Sequence, residues 1–516
     1  MRLRAALETT AVREHAIVCT TFLAGRWLLH AAGIRLNFIL EWMFLSDPED
    51  LRDRLAETVY FSHAYPPGMN VLTGILLKLG GSHTPRLAHF VLELFGLVLV
   101  NSFFYLCRVS GFSFRAAFAI SLAFSIIPQS IYFEHLYLYE TPVAALLCLA
   151  IALFHYLLRH PSFLGWSGFF TICSAIGWAR STFHLVWFAA MLGLAVWFSH
   201  RSGRRRVLSA AALPAAWLVA LYAKNLVVFG VLGASTSGPA NLTEMTVRRL
   251  PAEVRDAWVK EGKLSLFASV DIFAGPRAYL PYFASSENAK WPPMLNVLER
   301  SSLGLPNYNH WFFLEVNPKR RDDALSCLKT RPLDYAVTVM ENLKRLFQPS
   351  TEWHPFDKTD KSPHYQHRQV LGGYESFYNQ LVHGFPVAPV GLYAFLPLAC
   401  VWALRRANAL VRAETPESTA RGALLYCSLF QIAFVIPPSI LFAFGEAPRY
   451  RYAIETMIWL ITALAVTSGW RRVRDRLSSS SRSATAGGQL DPMEPRGERP
   501  QVMDHICRAR LVRGSP

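Results

Sequence analysis

Charge is scarce in this sequence: only 17% of its 516 residues are Asp, Glu, Lys or Arg, against ~25% in a typical soluble domain. That argues against a string of soluble domains, a disordered chain and a nucleic-acid-binding arm. Cysteine is also sparse. Of the 8 cysteines, Cys19, Cys107, Cys148, Cys173, Cys400 and Cys427 fall in apolar stretches, and Cys327 and Cys507 are isolated. No pair has zinc or redox spacing, so neither a disulfide framework nor a metal site is expected from them. No internal repeat is visible. The first apolar segment is interrupted by Arg26 and lacks a small-residue cleavage site, so it is not expected to be removed as a signal peptide.

What is present is apolar length. Hydrophobic residues make up 52%, with 35 Phe, 19 Tyr and 14 Trp. Stretches of the ~17–25 residues that cross a bilayer occur at 15–34, 87–107, 116–133, 141–158, 164–179, 181–199, 207–230, 387–404, 422–444 and 453–470. The pattern predicts an all-α polytopic membrane protein with about ten spans. Arginine sets the orientation. With the N-terminus in the cytoplasm, the inside loops hold about 18 arginines and the outside turns about 3, namely Arg180, Arg449 and Arg451. Both termini are then cytoplasmic, as in a multi-pass protein of the cytoplasmic membrane. The division that follows is a transmembrane module at 1–230 with an outer loop at 35–86, an extracytoplasmic domain at 231–386, further transmembrane helices at 387–470, and a disordered tail at 471–516.

The first outer loop carries most of the chemistry. Apolar residues at 36, 39, 40, 43 and 44 have helical spacing. Asp47-Pro48 is a helix-start signal. The stretch 48–60 sets Leu51, Leu55 and Tyr60 opposite Glu49, Asp50, Asp53 and Glu57, which predicts an amphipathic helix on the outer membrane surface. Asp47 reads in two compatible ways, as a cap and as a general base at the membrane boundary. Glu49 and Asp50 compete with it for the second role. His63 and Tyr65 precede the helix break Pro66-Pro67, and either break the helix or line a site entrance.

Leu45-x-Asp47-Pro48-x-x-Leu51 followed by His63-x-x-Pro66-Pro67-x-x-Asn70 resembles the GT-C superfamily of membrane glycosyltransferases. It is most similar to the branch of dolichyl-phosphate-mannose protein mannosyltransferases and lipid A aminoarabinose transferases. Glu134-His-Leu-Tyr-Leu-Tyr-Glu140, Lys224-Asn225-x-x-x-Phe229-Gly230 and Glu446-Ala-Pro-Arg449-Tyr-Arg451 resemble later motifs of the same family, in the same order.

The resemblance implies transfer of a monosaccharide from a polyprenyl-phosphate carrier to a glycan, lipid or protein acceptor on the outer face, with no cofactor and no nucleic acid. It implies Asp47 as base. Glu134 and Glu140 would assist the acceptor. Arg449, Arg451, Arg180 and Lys224 would hold the lipid phosphate, since guanidinium suits bidentate phosphate contact. His63, Tyr65 and Asn225 would line the cavity. For the arginines, membrane anchoring or an ion pair with Glu446 is the competing account; for Lys224 it is snorkelling. Glu93 inside a span is expected to pack against Arg26; the alternative is that Arg26 orients a headgroup. His354, His364, His367 and His383, with Asp357 and Asp360, have irregular spacing, and no metal is expected there. A transporter or flippase, or a non-catalytic assembly factor, is the rival class. The former would carry repeats and broken mid-membrane helices.

Overall fold

The computed structural model describes residues 2–352, 365–384 and 391–486. His354, Asp357, Asp360 and His364 lie outside the described residues. The chain is all-α, and among the described residues the strands are one antiparallel hairpin, Glu299–Arg300 with Leu305–Pro306. The described residues up to Ala465 form one compact unit, and those from Val466 a second.

Over their described residues, the ten expected apolar segments fall mainly on helices. Gly68–Val109, Glu140–Arg159, Arg201–Phe229, Tyr393–Arg412 and Pro416–Phe442 are long and apolar enough to cross a membrane. Phe114–Ile126 and Pro128–Glu134 make a sixth crossing if counted together, with a bend of 60° between them. The bend has a local cause: Pro128 removes a backbone donor and forces Ile127 out of the helical region, to ψ 145°. Phe163–Ala179 and Leu185–Phe198 are apolar but only 17 and 14 residues long. A straight 14-residue helix is about 21 Å long, short of a hydrocarbon layer of ~30 Å. Among the described residues, length and apolar composition together thus account for five or six crossings of the ten expected.

Helix Glu140–Arg159 occupies the centre. It packs against Thr84–Val109, Phe163–Ala179 and Pro416–Phe442, and Val143, Leu147, Ile151 and Phe154 on it are fully buried. The outer helices instead expose large apolar side chains, among them Leu213 at 81% and Val227 at 82%. Such faces are costly in water and at home in lipid.

Three local expectations are corrected. Residues 36–44 are not helical. The reason is Arg300, buried at the end of the first hairpin strand. Its Nη1 donates to the carbonyls of Leu40, Trp42 and Leu45 at 3.0–3.2 Å, and its Nη2 to Glu41 at 2.9 Å. A guanidinium satisfies the acceptors that a helix would have used. The expected surface helix is two short ones, Pro48–Asp53 and Leu55–Phe61. Their apolar side meets protein rather than a membrane surface: Leu51 and Leu55 close on Gly74, where even a Cβ would meet Leu55 at 2.5 Å and the Leu51 carbonyl at 2.8 Å. Finally, helix Glu455–Ala486 continues through the start of the expected disordered tail at 471.

Candidate functional site

The segment between Glu134 and Glu140 joins two buried charge clusters. Glu134 closes helix Pro128–Glu134 and Glu140 opens helix Glu140–Arg159. The linking residues bridge to the first loop at Leu136: Asn37 donates its N–H to the His135 carbonyl at 2.8 Å, and Tyr137 donates to that of Asn37 at 3.1 Å. Six residues reach at most about 20 Å, so the two carboxylates are held within that span.

Glu134 is claimed by Arg26. The guanidinium makes a bidentate contact at 2.6 and 2.7 Å and also donates to the Ser125 carbonyl at 2.9 Å. This corrects the expected Arg26–Glu93 pairing; Glu93 faces His89 at 3.5 Å instead. Gly96 is required beside the pair, because a Cβ there would lie 2.5 Å from Glu134 Oε2.

Glu140 is placed differently. Arg180 follows the last turn of helix Phe163–Ala179, and Arg449 lies on the short helix Ala447–Tyr452. Both reach Glu140, Arg449 Nε at 3.1 Å and Arg180 Nη1 at 3.7 Å. Arg449 also meets Glu446 at 2.8 Å and donates to the Tyr139 hydroxyl at 3.1 Å. Tyr450 lies under Arg180, 3.9 Å from ring centre to guanidinium carbon, and Tyr139 flanks both cations at 5.2 and 5.5 Å. Phe44 packs on Tyr139 at 5.1 Å and Tyr65 on Phe44 at 6.4 Å, which brings the first loop to the same place. Burial among these groups pushes the Tyr65 phenol up.

Two features make this cluster the candidate site. Glu140 is fully buried and Arg180 is 4% exposed. Yet both Glu140 carboxylate oxygens and both Arg180 terminal nitrogens are buried without a hydrogen bond among the described residues. Buried charges are normally hydrogen-bonded as well as paired, because leaving them otherwise costs several kcal/mol. An anion entering between Arg180 and Arg449 would supply acceptors for these donors.

The other expected residues have other partners. Asp47 caps helix Pro48–Asp53 through the Glu49 N–H at 2.9 Å, as its sequence context predicts. It also accepts from Ser302 N–H at 2.9 Å, Ser302 Oγ at 2.9 Å and Ser301 Oγ at 3.4 Å, so it latches the first loop onto the Glu299–Pro306 hairpin. Asp50 pairs with Arg54 at 2.5 Å and Glu49 is exposed. Arg451 is buried away from Arg449: it donates to the carbonyls of Leu346 and Gln348 and to Ser350, and pairs with Glu455 at 3.0 Å. Lys224 Nζ donates to the Ser62 carbonyl at 2.6 Å, and Asn225 holds the Gly233 carbonyl at 2.6 Å. His63 bridges Thr236 at 2.9 Å and the Asn309 carbonyl at 3.0 Å, and burial pushes it down to about 3. Sequence reasoning missed Arg300, Tyr139 and Tyr450. The first is an ordinary arginine beside a pair of serines, and the two aromatics lie within the Glu134–Glu140 and Glu446–Arg451 motifs, where the charged residues drew the reading. Among the described residues no cluster of three or more His, Cys, Asp or Glu side chains could hold a metal ion.

Comparison with protein families, with curated proteins and with solved structures finds no match for this chain.

Proposed function

We propose that the chain is an integral membrane glycosyltransferase that moves a monosaccharide from a polyprenyl phosphate to an acceptor hydroxyl on the outer face of the cytoplasmic membrane. One observation carries the reading: Arg180 and Arg449 converge on a fully buried Glu140, with the Arg180 terminal nitrogens and the Glu140 oxygens lacking hydrogen bonds among the described residues. The ordered motifs around 47, 134–140, 224 and 446–451 support the choice of chemistry.

In this reading Arg180 and Arg449 take the lipid phosphate. Both guanidiniums present paired N–H donors to its oxygens, while Tyr139 and Tyr450 wall the site against water. The phosphate draws the cations from Glu140, whose carboxylate is then available to the acceptor hydroxyl. The hydroxyl oxygen attacks the anomeric carbon and its proton passes to Glu140. The bond from that carbon to the phosphate oxygen breaks, and the electron pair leaves with the lipid phosphate. General-base removal of the proton contributes ~10²–10⁴-fold. The latch role of Asp47 makes Glu140 the better placed of the carboxylates, since Asp47's oxygens already accept four hydrogen bonds.

The test is transfer from a synthetic polyprenyl-phosphate sugar by purified protein in nanodiscs. Parent protein should release polyprenyl phosphate without added nucleotide. Arg449→Lys and Glu140→Gln should each lower turnover by ~10²-fold or more. Transfer only from a nucleotide sugar, or unaltered turnover in both variants, would overturn the assignment.

A further inference from the structure

A cavity of 760 Å³ opens between helix Arg2–Ala31 and the start of helix Thr84–Val109, within the size range of ligand sites. Leu23, Trp27 and Phe90 supply apolar lining and are exposed at 50, 69 and 56%. Arg35 and Arg86 line the same cavity. Arg26 forms part of the wall, but Glu134 already neutralises it.

We propose that this groove binds the headgroup of an anionic phospholipid, with its phosphodiester on Arg35 and Arg86 and its acyl chains along Leu23, Trp27 and Phe90. Three observations carry this. First, neither arginine forms an ion pair among the described residues, whereas nearby Arg26 and His89 each face a carboxylate. Second, Arg35 is pinned at the lip of the groove by donating to the His30 carbonyl, the last turn of its helix. Third, Glu93 also lines the cavity, so with Arg26 spent the surplus is one positive charge. A single surplus charge matches a phosphodiester and not a doubly charged phosphate monoester. Guanidinium–phosphate contact supplies the polar half, and the exposed aromatic and aliphatic side chains supply the lipid-facing half.

The site does not rest on the glycosyltransferase reading, and its test uses no turnover. Delipidated full-length protein in a non-ionic detergent is titrated with short-chain phosphatidylglycerol, phosphatidylcholine or a polyprenyl monophosphate. Thermal stability and native mass spectra are read. Phosphatidylglycerol should stabilise the parent and remain bound, and phosphatidylcholine should do so at least ~10-fold less well. The double substitution Arg35→Gln and Arg86→Gln should weaken phosphatidylglycerol binding by roughly 10–100-fold. Its unliganded stability should match the parent's, because both side chains are exposed. Arg86→Gln alone gives a milder form of the same test. Equal binding of the two phospholipids, undiminished binding by the variants, or stronger binding of the monophosphate that the variants abolish would each overturn the proposal.

Discussion

Asp47→Asn separates the latch from the chemistry. In the parent, one carboxylate oxygen accepts from Glu49 N–H and Ser302 Oγ, both at 2.9 Å, and the other from Ser302 N–H at 2.9 Å and Ser301 Oγ at 3.4 Å. An asparagine keeps one acceptor. Turned to hold the Glu49 cap, it sets its NH₂ against the Ser302 N–H, two donors facing each other in a place only 6% exposed. The serine hydroxyls rotate to suit; the backbone N–H cannot. The cost is that of one buried donor left unmade, about 1–3 kcal/mol. Because the first loop and the hairpin are also joined by Arg300, the loss appears as local opening and not global unfolding. Hydrogen exchange at the Ser302 amide should accelerate by roughly 5–150-fold at neutral pH. Exchange in helix Glu140–Arg159 should stay unchanged. Asp47→Ala removes the acceptors of both backbone N–H groups, Glu49 and Ser302, and should open the junction further. If exchange at Ser302 is unaffected while sugar transfer falls ~10²-fold, the latch reasoning fails and Asp47 is the base after all.

Arg300→Lys should also free the first loop, since an ammonium lacks the planar fork that spans four carbonyls; faster exchange over residues 40–46 and new proteolytic cuts there would show it, and an unchanged digest would refute it. Gly68→Ala should destabilise by about 1–3 kcal/mol, because the added Cβ would lie 2.7 Å from the Trp178 carbonyl oxygen, a backbone atom with little room to yield; a parental melting curve would count against this packing. Acid should loosen the region around 63 and 310. Burial holds His63 down to about 3 and His310 to about 4. With folded values below the unfolded ~6.5, their contribution is complete above pH 6.5 and is lost as pH falls toward 4, at up to ~1.4 kcal/mol per group per pH unit. Proteolysis of the 231–352 segment should quicken between pH 6.5 and 4.5, and His63→Gln, which keeps hydrogen-bonding capacity without taking a proton, should blunt the rise. A flat profile in the parent would contradict it.

The amino-acid sequence determined by itself that the chain is helical and apolar, because hydropathy and period are local properties that each segment carries alone. It also marked Glu140, Arg180 and Arg449 as separate candidates, and the Asp47-Pro48 helix start. Local signals end where partners are distant in the chain. Residues 36–44 have helical spacing yet are irregular, because their carbonyls are taken by Arg300, some 255–260 positions later. Arg26 chose Glu134 at 108 positions over Glu93, which the sequence placed nearer. Arg449 and Arg451 look alike in one short motif. On helix Ala447–Tyr452 they are two positions apart and so point to different sides, one to Glu140 and the other into backbone carbonyls near Leu346. Which charge meets which, and which is left short of a partner, was decided only by tertiary structure, because a buried charge is selected by whatever the fold brings within hydrogen-bonding reach.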